Sequence, residues 1–355
     1  MRSINMLHQA YQDRNLTLYL GAGVSIGSGI PSWDALILAM YFKVIDRQRL
    51  GRWRPFPNYL FAIAEWQLQH LQEPLEISAR KIRNYFRKDQ KAFLSLLRET
   101  LYEGFLQGNE QQLLIPNSLD LRHGNLTLQA VTELCDSHTE AGVKSVVTYN
   151  YDSLLEYTLD QTPHRPIWNA GKSASGGELS IYHVHGYVPL ENNKGSNPKE
   201  IVFTEDQYNR VASDPYSWSN LVQIHCMSST VGLMIGLSLS DRNMRRLLDA
   251  IRNAPIKTTH FALLRRPQWR APSSEELDRI HAKAQDYYDR FERSGIKRAP
   301  GTKGPNWRIE ISGILREVEK RASEQQTSIL NELGIKPIWF DEYSDIPQIL
   351  YEIRH

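Results

Sequence analysis

Short apolar runs that end beside Gly, Asn or His recur along the chain, and they constrain its fold more than any other feature. These runs occupy Leu16–Leu20, Ser145–Tyr149, Ile181–Val184, Val231–Ile235, His260–Leu264 and Lys336–Phe340. Longer stretches with helical spacing lie between them, at Trp33–Ile45, Leu126–His138, Tyr151–Leu159 and Asn243–Ile251. Buried strands that alternate with helices are typical of an α/β protein, in which helices cover both faces of a mostly parallel sheet.

One long interval, residues 51–121, interrupts this alternation. It contains no convincing strand and places Leu, Phe, Tyr, Arg and Gln at helical spacing, which predicts a helical insertion. Residues 1–50 and 122–355 then form the core, so that residues 1–355 are predicted to be a single domain. Two long polar helices are predicted near the C-terminus, at Ser273–Arg293 and Trp307–Leu333.

The composition excludes several classes of protein. With 355 residues, of which 41% are hydrophobic and 23% charged, the chain suits a globular protein with a sizeable core. A formal net charge of +2 gives no indication of direct nucleic-acid binding. Its two cysteines, Cys135 and Cys226, are too few for a disulfide framework or a four-thiolate zinc site. No signal peptide or membrane-spanning run is recognisable, so a cytoplasmic location is predicted.

Closely spaced glycines follow the first apolar run, and we call the segment Gly21–Gly29 the glycine corner. Glycines after a strand let backbone amides approach a pyrophosphate, and the next helix directs its positive end toward it. The dehydrogenase pattern Gly-x-Gly-x-x-Gly requires a glycine at position 26, where the chain has Ile26. A common NAD(P) dehydrogenase is therefore disfavoured, and a plain turn between strand and helix remains an alternative.

Polar residues also follow three later runs. Asn150 and Asp152 follow the second, and either could simply cap the next helix. His183 and His185 alternate along a strand, so their side chains are predicted to face opposite sides of the sheet. This arrangement disfavours a metal site shared by the two histidines and indicates that one of them is structural. Asp241, beyond the fourth run, is a plausible helix cap. Because the carboxyl ends of parallel strands share one edge of a sheet, these motifs predict a single ligand-binding cleft.

Taken together and in order, the motifs resemble those of the sirtuin (Sir2-like) family. Gly21–Ser25 and Gly29–Pro31 resemble its Gly-Ala-Gly-x-Ser and Gly-Ile-Pro elements. Thr148–Asp152 is similar to its Thr-Gln-Asn-Ile-Asp segment, His185-Gly186 to its catalytic His-Gly, and Gly236–Ser238 to its later Gly-Thr-Ser contact. The resemblance implies a Rossmann-like core that binds NAD+.

Two departures from the deacylase pattern are informative. The chain cannot supply the four cysteines of the deacylase zinc ribbon, and Ser32-Trp33-Asp34 stands where the deacylases have Asp-Phe-Arg. Both departures match a divergent bacterial branch whose members are NAD hydrolases that deplete NAD+ in antiphage defence by abortive infection. The resemblance therefore implies an NAD+ glycohydrolase that gives nicotinamide and ADP-ribose, with no zinc ribbon and no metal.

The same resemblance assigns roles to individual residues. Asn150 is expected to orient a water near the ribose, His185 to act as a base, and Asp152 to support the Asn150 loop or contact ribose. The residues expected to contact NAD+ are Gly21, Ala22, Gly23, Ser25, Gly29, Pro31, Thr148, Gly236 and Ser238.

The resemblance also leads to expectations about regulation and about alternative functions. Uncontrolled NAD+ hydrolysis is toxic, so a homo-oligomer or a regulatory partner, such as a HerA-like ATPase or an Argonaute-like protein, is expected. One alternative is a module that senses NAD+ or ADP-ribose without turnover. Another is an NAD-dependent protein deacylase.

Overall fold

The computed structural model describes residues 2–50, 66–67, 70, 74–109, 124–136, 141–159, 162–191, 197–253, 258–267, 272–293 and 307–355. These residues form two compact units. The first comprises Met1–Leu264 and Leu333–His355, and the second comprises Arg265–Glu332.

The first unit is built on a seven-stranded parallel sheet with the strand order β3-β4-β2-β1-β5-β6-β7. The strands are β1 (Leu16–Leu20), β2 (Val143–Thr148), β3 (His164–Ile167), β4 (Leu179–His183), β5 (Val231–Ile235), β6 (His260–Arg265) and β7 (Ile335–Phe340). The predicted α/β fold with a mostly parallel, Rossmann-like sheet is therefore confirmed.

Helices connect these strands. Those of the first unit are α1 (Arg2–Gln12), α2 (Trp33–Leu50), α3 (Leu75–Tyr85), α4 (Gln90–Asn109), α5 (Leu126–Cys135), α6 (Leu154–Thr158), α7 (Glu205–Ser213), α8 (Trp218–Ser229), α9 (Arg242–Arg252) and α12 (Ile346–Arg354). Short 3₁₀ turns occupy Ala22–Val24, Ile26–Ser28, Pro198–Glu200 and Tyr343–Asp345.

Both faces of the central strand β1 are covered. Leu18 belongs to the main apolar cluster, together with residues of α1, α5 and α12. On the other face, Thr17 Oγ1 lies 2.9 Å from Ser145 Oγ, which in turn lies 3.8 Å from the Cys226 sulfur of α8. Side chains alternate along a strand, so these contacts place helices on opposite sides of the sheet.

The register of the four middle strands aligns the residues that precede the predicted motifs. Leu20 pairs with Thr148 on one side and with Ile235 on the other, and Thr148 pairs with His183. The segments that follow these four residues therefore leave the sheet side by side. Strand β1 lies where the chain order reverses, which is the ligand-binding position in open α/β sheets.

Strand β3 and helices α7 and α8 were not among the predicted elements. Strand β3 lies at the sheet edge, reads His-Arg-Pro-Ile and has only its last residue buried, so it lacks an apolar run. A proline is compatible with an edge strand because its missing N–H removes no internal ladder bond. Strand β3 therefore has no apolar pattern from which a strand would be predicted.

The predicted helical insertion is described in part. Helices α3 and α4 lie within it, whereas residues 51–65, 68–69, 71–73 and 110–121 lie outside the described residues. The α4 side chains Phe93 and Leu97 are fully buried and belong to the main apolar cluster. This helix therefore packs into the core of the first unit.

The second unit contains α10 (Ser274–Arg293) and α11 (Trp307–Glu332), which match the two predicted polar helices closely. Exposed ion pairs four residues apart stabilise their surfaces, such as Arg279 with Glu275 and Arg321 with Glu317. Among the described residues of both units, no helix is long and apolar enough to cross a membrane.

Candidate functional site

The glycine corner packs directly against the loop that follows β5. The Gly21 amide donates to the Ile235 carbonyl at 3.0 Å, and the Gly23 amide donates to the Gly236 carbonyl at 3.0 Å. A Cβ on Gly21 would lie 2.5 Å from Gly236 O, and one on Gly23 would lie 2.7 Å from Gly236 Cα. Gly236 itself has φ +68, a conformation that favours glycine. These glycines are therefore required for the two loops to approach each other.

Several amides of the corner already have partners within the protein. The Val24 amide donates to the Gly21 carbonyl and the Ser25 amide to the Ala22 carbonyl, both at 3.0 Å. In this structure the glycines allow the two loops to pack together. A contact with a diphosphate stays a prediction for Gly21, Ala22, Gly23 and Ser25.

The second half of the corner contacts α4. Gly29 has φ +83, and a Cβ there would lie 2.7 Å from the carbonyl carbon of Gly104. Pro31 is partly buried and lies just before α2. Contacts with NAD+ at Gly29 and Pro31 also stay predictions, because the observed role of Gly29 is close packing.

Asn125, which belongs to none of the predicted motifs, holds the outer side of the glycine corner. Its Nδ2 donates to the Val24 carbonyl at 2.8 Å and to Ser28 Oγ at 2.9 Å. Its Oδ1 accepts from the Leu128 amide at 3.1 Å and so caps α5. Its position immediately before an apolar helical run was the available signal.

Asn150 joins the loop after β2 to the glycine corner. Its Nδ2 donates to the Gly21 carbonyl at 3.0 Å and to Ser25 Oγ at 3.3 Å. Its backbone amide donates to Thr148 Oγ1 at 3.1 Å. Four residues of the predicted site, Gly21, Ser25, Thr148 and Asn150, are thus brought together.

Asp152 lies beneath this loop. Its Oδ1 accepts from Ser25 Oγ at 3.2 Å and from the Leu154 amide at 3.1 Å, at the start of α6. Burial raises the pKa of the Asp152 carboxyl to about 6, against the opposing effect of these hydrogen bonds. Asp152 therefore accepts from the first amide of α6 and supports Ser25, and through Ser25 it supports Asn150.

A cavity of about 10 Å³ lies among these side chains. It is lined by Leu20, Val24, Ser25, Leu128, Thr148, Asn150, Asp152, Leu155, Glu156, Ile181 and His183. Such a volume suits about one water molecule. A nicotinamide ring does not fit, so the polar groups are packed in a closed arrangement.

His185 lies just beyond β4, beside aromatic rings and a carboxylate. The Tyr149 ring meets it edge-on at a centroid distance of 5.2 Å, and its Nε2 lies 3.9 Å from Asp241 Oδ2. Its side chain is 19% exposed. Burial lowers the pKa of His185, and the opposing effect of Asp241 is the smaller one. The imidazole is therefore mostly neutral near pH 7 and able to accept a proton.

Asp241 has a larger role than the predicted helix cap. Its Oδ1 accepts from the Met244 amide at 2.7 Å, which confirms the cap of α9, and from the Tyr208 hydroxyl at 3.0 Å. The other oxygen, Oδ2, faces His185. The sequence offered no signal for Tyr208, which lies 33 residues from Asp241.

His183 and His185 have separate surroundings, as their alternation on the strand predicted. His183 contacts Asn150 and Glu156 and is almost completely buried. Neither histidine belongs to a candidate metal cluster, since no group of three His, Cys, Asp or Glu among the described residues is arranged to hold a metal ion.

Ser238 lies in the exposed loop after β5. Its Oγ is 2.7 Å from Ser240 Oγ, and no hydrogen bond links it to another residue of the predicted site in the described part of the chain. Between the two serines, Leu239 has φ +57, an uncommon conformation for a side chain of this size. The expected contact of Ser238 with NAD+ stays a prediction.

A larger cavity of about 520 Å³ lies beside the edge strand β3. Its wall includes Trp168 and Tyr187, whose rings stack at 4.9 Å, and Lys172, whose Nζ lies 3.8 Å from the Trp168 ring. It shares Glu156 with the small cavity but does not include Asn150 or Asp152, and His185 lines neither cavity. We therefore place the candidate site at the smaller cavity, where the polar groups meet.

A sequence model described as the SIR2-like domain matches residues 144–288. This range includes Asn150, Asp152, His185 and the loop after β5, whereas the glycine corner precedes it. No curated protein gives a significant match to the chain. SIR2-like domains bind NAD+. The site described above lies at the carboxyl ends of the parallel strands, where a dinucleotide is expected. Residues 144–288 therefore resemble a SIR2-like domain, and this match supports a Sir2-like family and an NAD-related function.

Proposed function

We propose that the protein hydrolyses NAD+ at the bond between nicotinamide and ribose, releasing nicotinamide and ADP-ribose. The observation that carries this proposal is the arrangement around β2. Asn150 is held against the glycine corner, and a mostly neutral His185 lies beyond the neighbouring strand with the Asp241 carboxylate beside it. An oriented amide and a base at one sheet edge are the groups that such a hydrolysis requires.

The chemistry places specific demands on the site. The glycosidic C–N bond breaks with its electron pair moving to the pyridinium nitrogen, so nicotinamide leaves as a neutral molecule. The ribose that remains has oxocarbenium character, and a nearby oxygen dipole stabilises this positive charge. Water then adds to the anomeric carbon and loses a proton to a base.

Asn150 and His185 divide these tasks. Asn150 Nδ2 is engaged by Gly21 and Ser25, whereas its Oδ1 accepts no hydrogen bond from another described residue. The amide oxygen is thus available to the ribose or to the attacking water. His185 accepts the proton of that water, and the Asp241 carboxylate stabilises the imidazolium that forms.

Substrate entry requires the site to open. The cavity among Ser25, Asn150 and Asp152 has a volume of about 10 Å³, so the nicotinamide end of NAD+ enters only when these loops separate. This requirement fits the expectation of a regulated enzyme. The role in antiphage defence, the homo-oligomer and the HerA-like ATPase or Argonaute-like partner stay predictions.

The test is nicotinamide release from NAD+ by the purified protein, compared with that of His185→Ala. If His185 is the general base, its loss lowers turnover by about 10² to 10⁴-fold with little change in Tm. His225→Ala on α8 is the matched control, because this histidine is exposed and contributes no side chain to the site.

Two other results would contradict the proposal. Binding of NAD+ by the wild-type protein without release of nicotinamide would indicate a sensing module. Transfer of the acyl group from an acetyl-lysine peptide, with NAD+ consumed only when the peptide is present, would indicate a deacylase.

A further inference from the structure

Both ring nitrogens of His183 face oxygen atoms. Nδ1 lies 3.1 Å from the backbone carbonyl oxygen of Asn150, and Nε2 lies 2.5 Å from Glu156 Oε1. A carbonyl oxygen only accepts hydrogen bonds, so Nδ1 must carry a proton. A second proton is then shared between Nε2 and the carboxyl of Glu156. The hydrogen-bond pattern therefore fixes the orientation of the imidazole.

This pair is enclosed by the protein. The side chains of His183 and Glu156 are 1% and 8% exposed, and the Tyr187 ring packs on His183 at a centroid distance of 4.5 Å. A buried ion pair contributes little net stability, because desolvation of the two charges offsets their attraction. Its best-attested use is to select one arrangement of the groups around it.

The group that His183 holds in place is the backbone carbonyl of Asn150. We propose that Glu156 and His183 form a positioning pair that holds the Asn150 carbonyl and thereby orients the Asn150 amide for NAD+ hydrolysis. This inference rests on the proposed function. Glu156 orients His183 from α6, and His183 reaches the loop after β2 from β4, so the pair links two elements to one carbonyl.

The placement of Asn150 depends on few contacts. Its backbone amide is held by Thr148 Oγ1, its carbonyl by His183, and its side chain by Gly21 and Ser25. Loss of the carbonyl contact removes the hydrogen bond that orients the peptide plane between Asn150 and Tyr151. A misplacement of about 1 Å in a reacting group costs about 10²-fold in rate, whereas the remote parts of the substrate still bind. The effect is therefore expected in kcat rather than in KM.

Conservative substitutions distinguish a positioning role of Glu156 and His183 from an effect of their charges. In Glu156→Gln, the side-chain amide still reaches Nε2 as acceptor or donor, so His183 keeps its orientation and its Nδ1–H bond to Asn150. Glu156→Ala removes that support. Similarly, the Asn side chain in His183→Asn places an N–H donor close to the position of Nδ1, whereas His183→Leu provides none.

Thr158→Val provides a matched control on the same helix. Thr158 Oγ1 lies 2.7 Å from Thr132 Oγ1 and donates to the Leu155 carbonyl at 2.9 Å, so its removal loosens α6 without touching His183. A purely structural role of Glu156 predicts that Glu156→Ala and Thr158→Val behave alike.

The first measurement is steady-state nicotinamide release at a temperature where every variant is folded. We expect kcat to fall by about 10- to 100-fold in Glu156→Ala and His183→Leu, with KM changed by less than about 3-fold. Glu156→Gln and His183→Asn should recover most of this loss, and Thr158→Val should retain the wild-type kcat. Equal losses in Glu156→Gln and Glu156→Ala, or a wild-type kcat in Glu156→Ala, would overturn the proposal.

The second measurement needs no turnover, so it separates failure of this inference from failure of the proposed function. Hydrogen exchange followed by mass spectrometry reports the protection of the backbone amides in the segment 148–153. This segment should exchange about tenfold faster in Glu156→Ala than in Glu156→Gln or Thr158→Val. Unchanged exchange in Glu156→Ala would refute the positioning role, even in a protein that hydrolyses no NAD+.

Discussion

Asp241 Oδ2 lies 3.9 Å from His185 Nε2, while the other oxygen of the same carboxylate is held by the Tyr208 hydroxyl and by the first turn of α9. The distance exceeds that of a hydrogen bond, so the interaction between them is mainly the attraction of opposite charges when His185 is protonated. Asp241 is therefore oriented toward the proposed base by groups that do not themselves take part in the reaction.

Asp241→Asn should slow NAD+ hydrolysis and shift its pH dependence. Two charges at about 4 Å attract by about 1 kcal/mol in water and more when partly buried, so we expect a loss of about 5- to 10-fold in kcat. Because Asp241 raises the pKa of His185, its neutralisation should move the acid limb of kcat/KM to lower pH. Asparagine still caps a helix, so α9 should remain intact. An unaltered pH profile of nicotinamide release would argue against this pairing.

Asp152→Asn should change how folding stability depends on pH. Burial raises the pKa of Asp152 from 3.8 to about 6, so between these values the folded protein binds a proton that the unfolded chain does not. The contribution of Asp152 to stability therefore increases as the pH falls from 7.5 to 5, by about 1 kcal/mol. Denaturant unfolding at the two pH values gives the difference in free energy of unfolding between the wild-type protein and Asp152→Asn. The titration of all other groups cancels in this difference. A difference that shrinks at pH 5 would show that Asp152 has no raised pKa.

Gly23→Ala should destabilise the protein and open the contact between the loops after β1 and β5. Its new Cβ would lie 2.7 Å from Gly236 Cα, and backbone atoms at this distance must move. Overpacking of this kind costs about 1–3 kcal/mol. Gly176→Ala is the matched control, since a Cβ at Gly176 has no atom within 4 Å. Equal unfolding midpoints for the two variants would mean that the loops separate without cost.

The sequence alone predicted six of the seven strands of the sheet, all except the edge strand β3, and the polar residues that follow them. The apolar runs beginning at Leu16 and Val231 predict β1 and β5 with the observed bounds, because burial on both faces leaves a continuous apolar signal. Parallel strands share their carboxyl edge, so the meeting of Asn150 with Gly21 and Ser25 was also foreseeable.

Tertiary structure alone decided which side chains work in pairs. The partners of the two histidines, Glu156 for His183 and Asp241 for His185, lie on other elements and carry no local pattern. Contacts of this kind depend on the register between β2 and β4 and on how each helix starts, which are set when the whole core packs. Periodicity reports which face of an element is buried, whereas the identity of the opposing side chain is a property of the assembled fold.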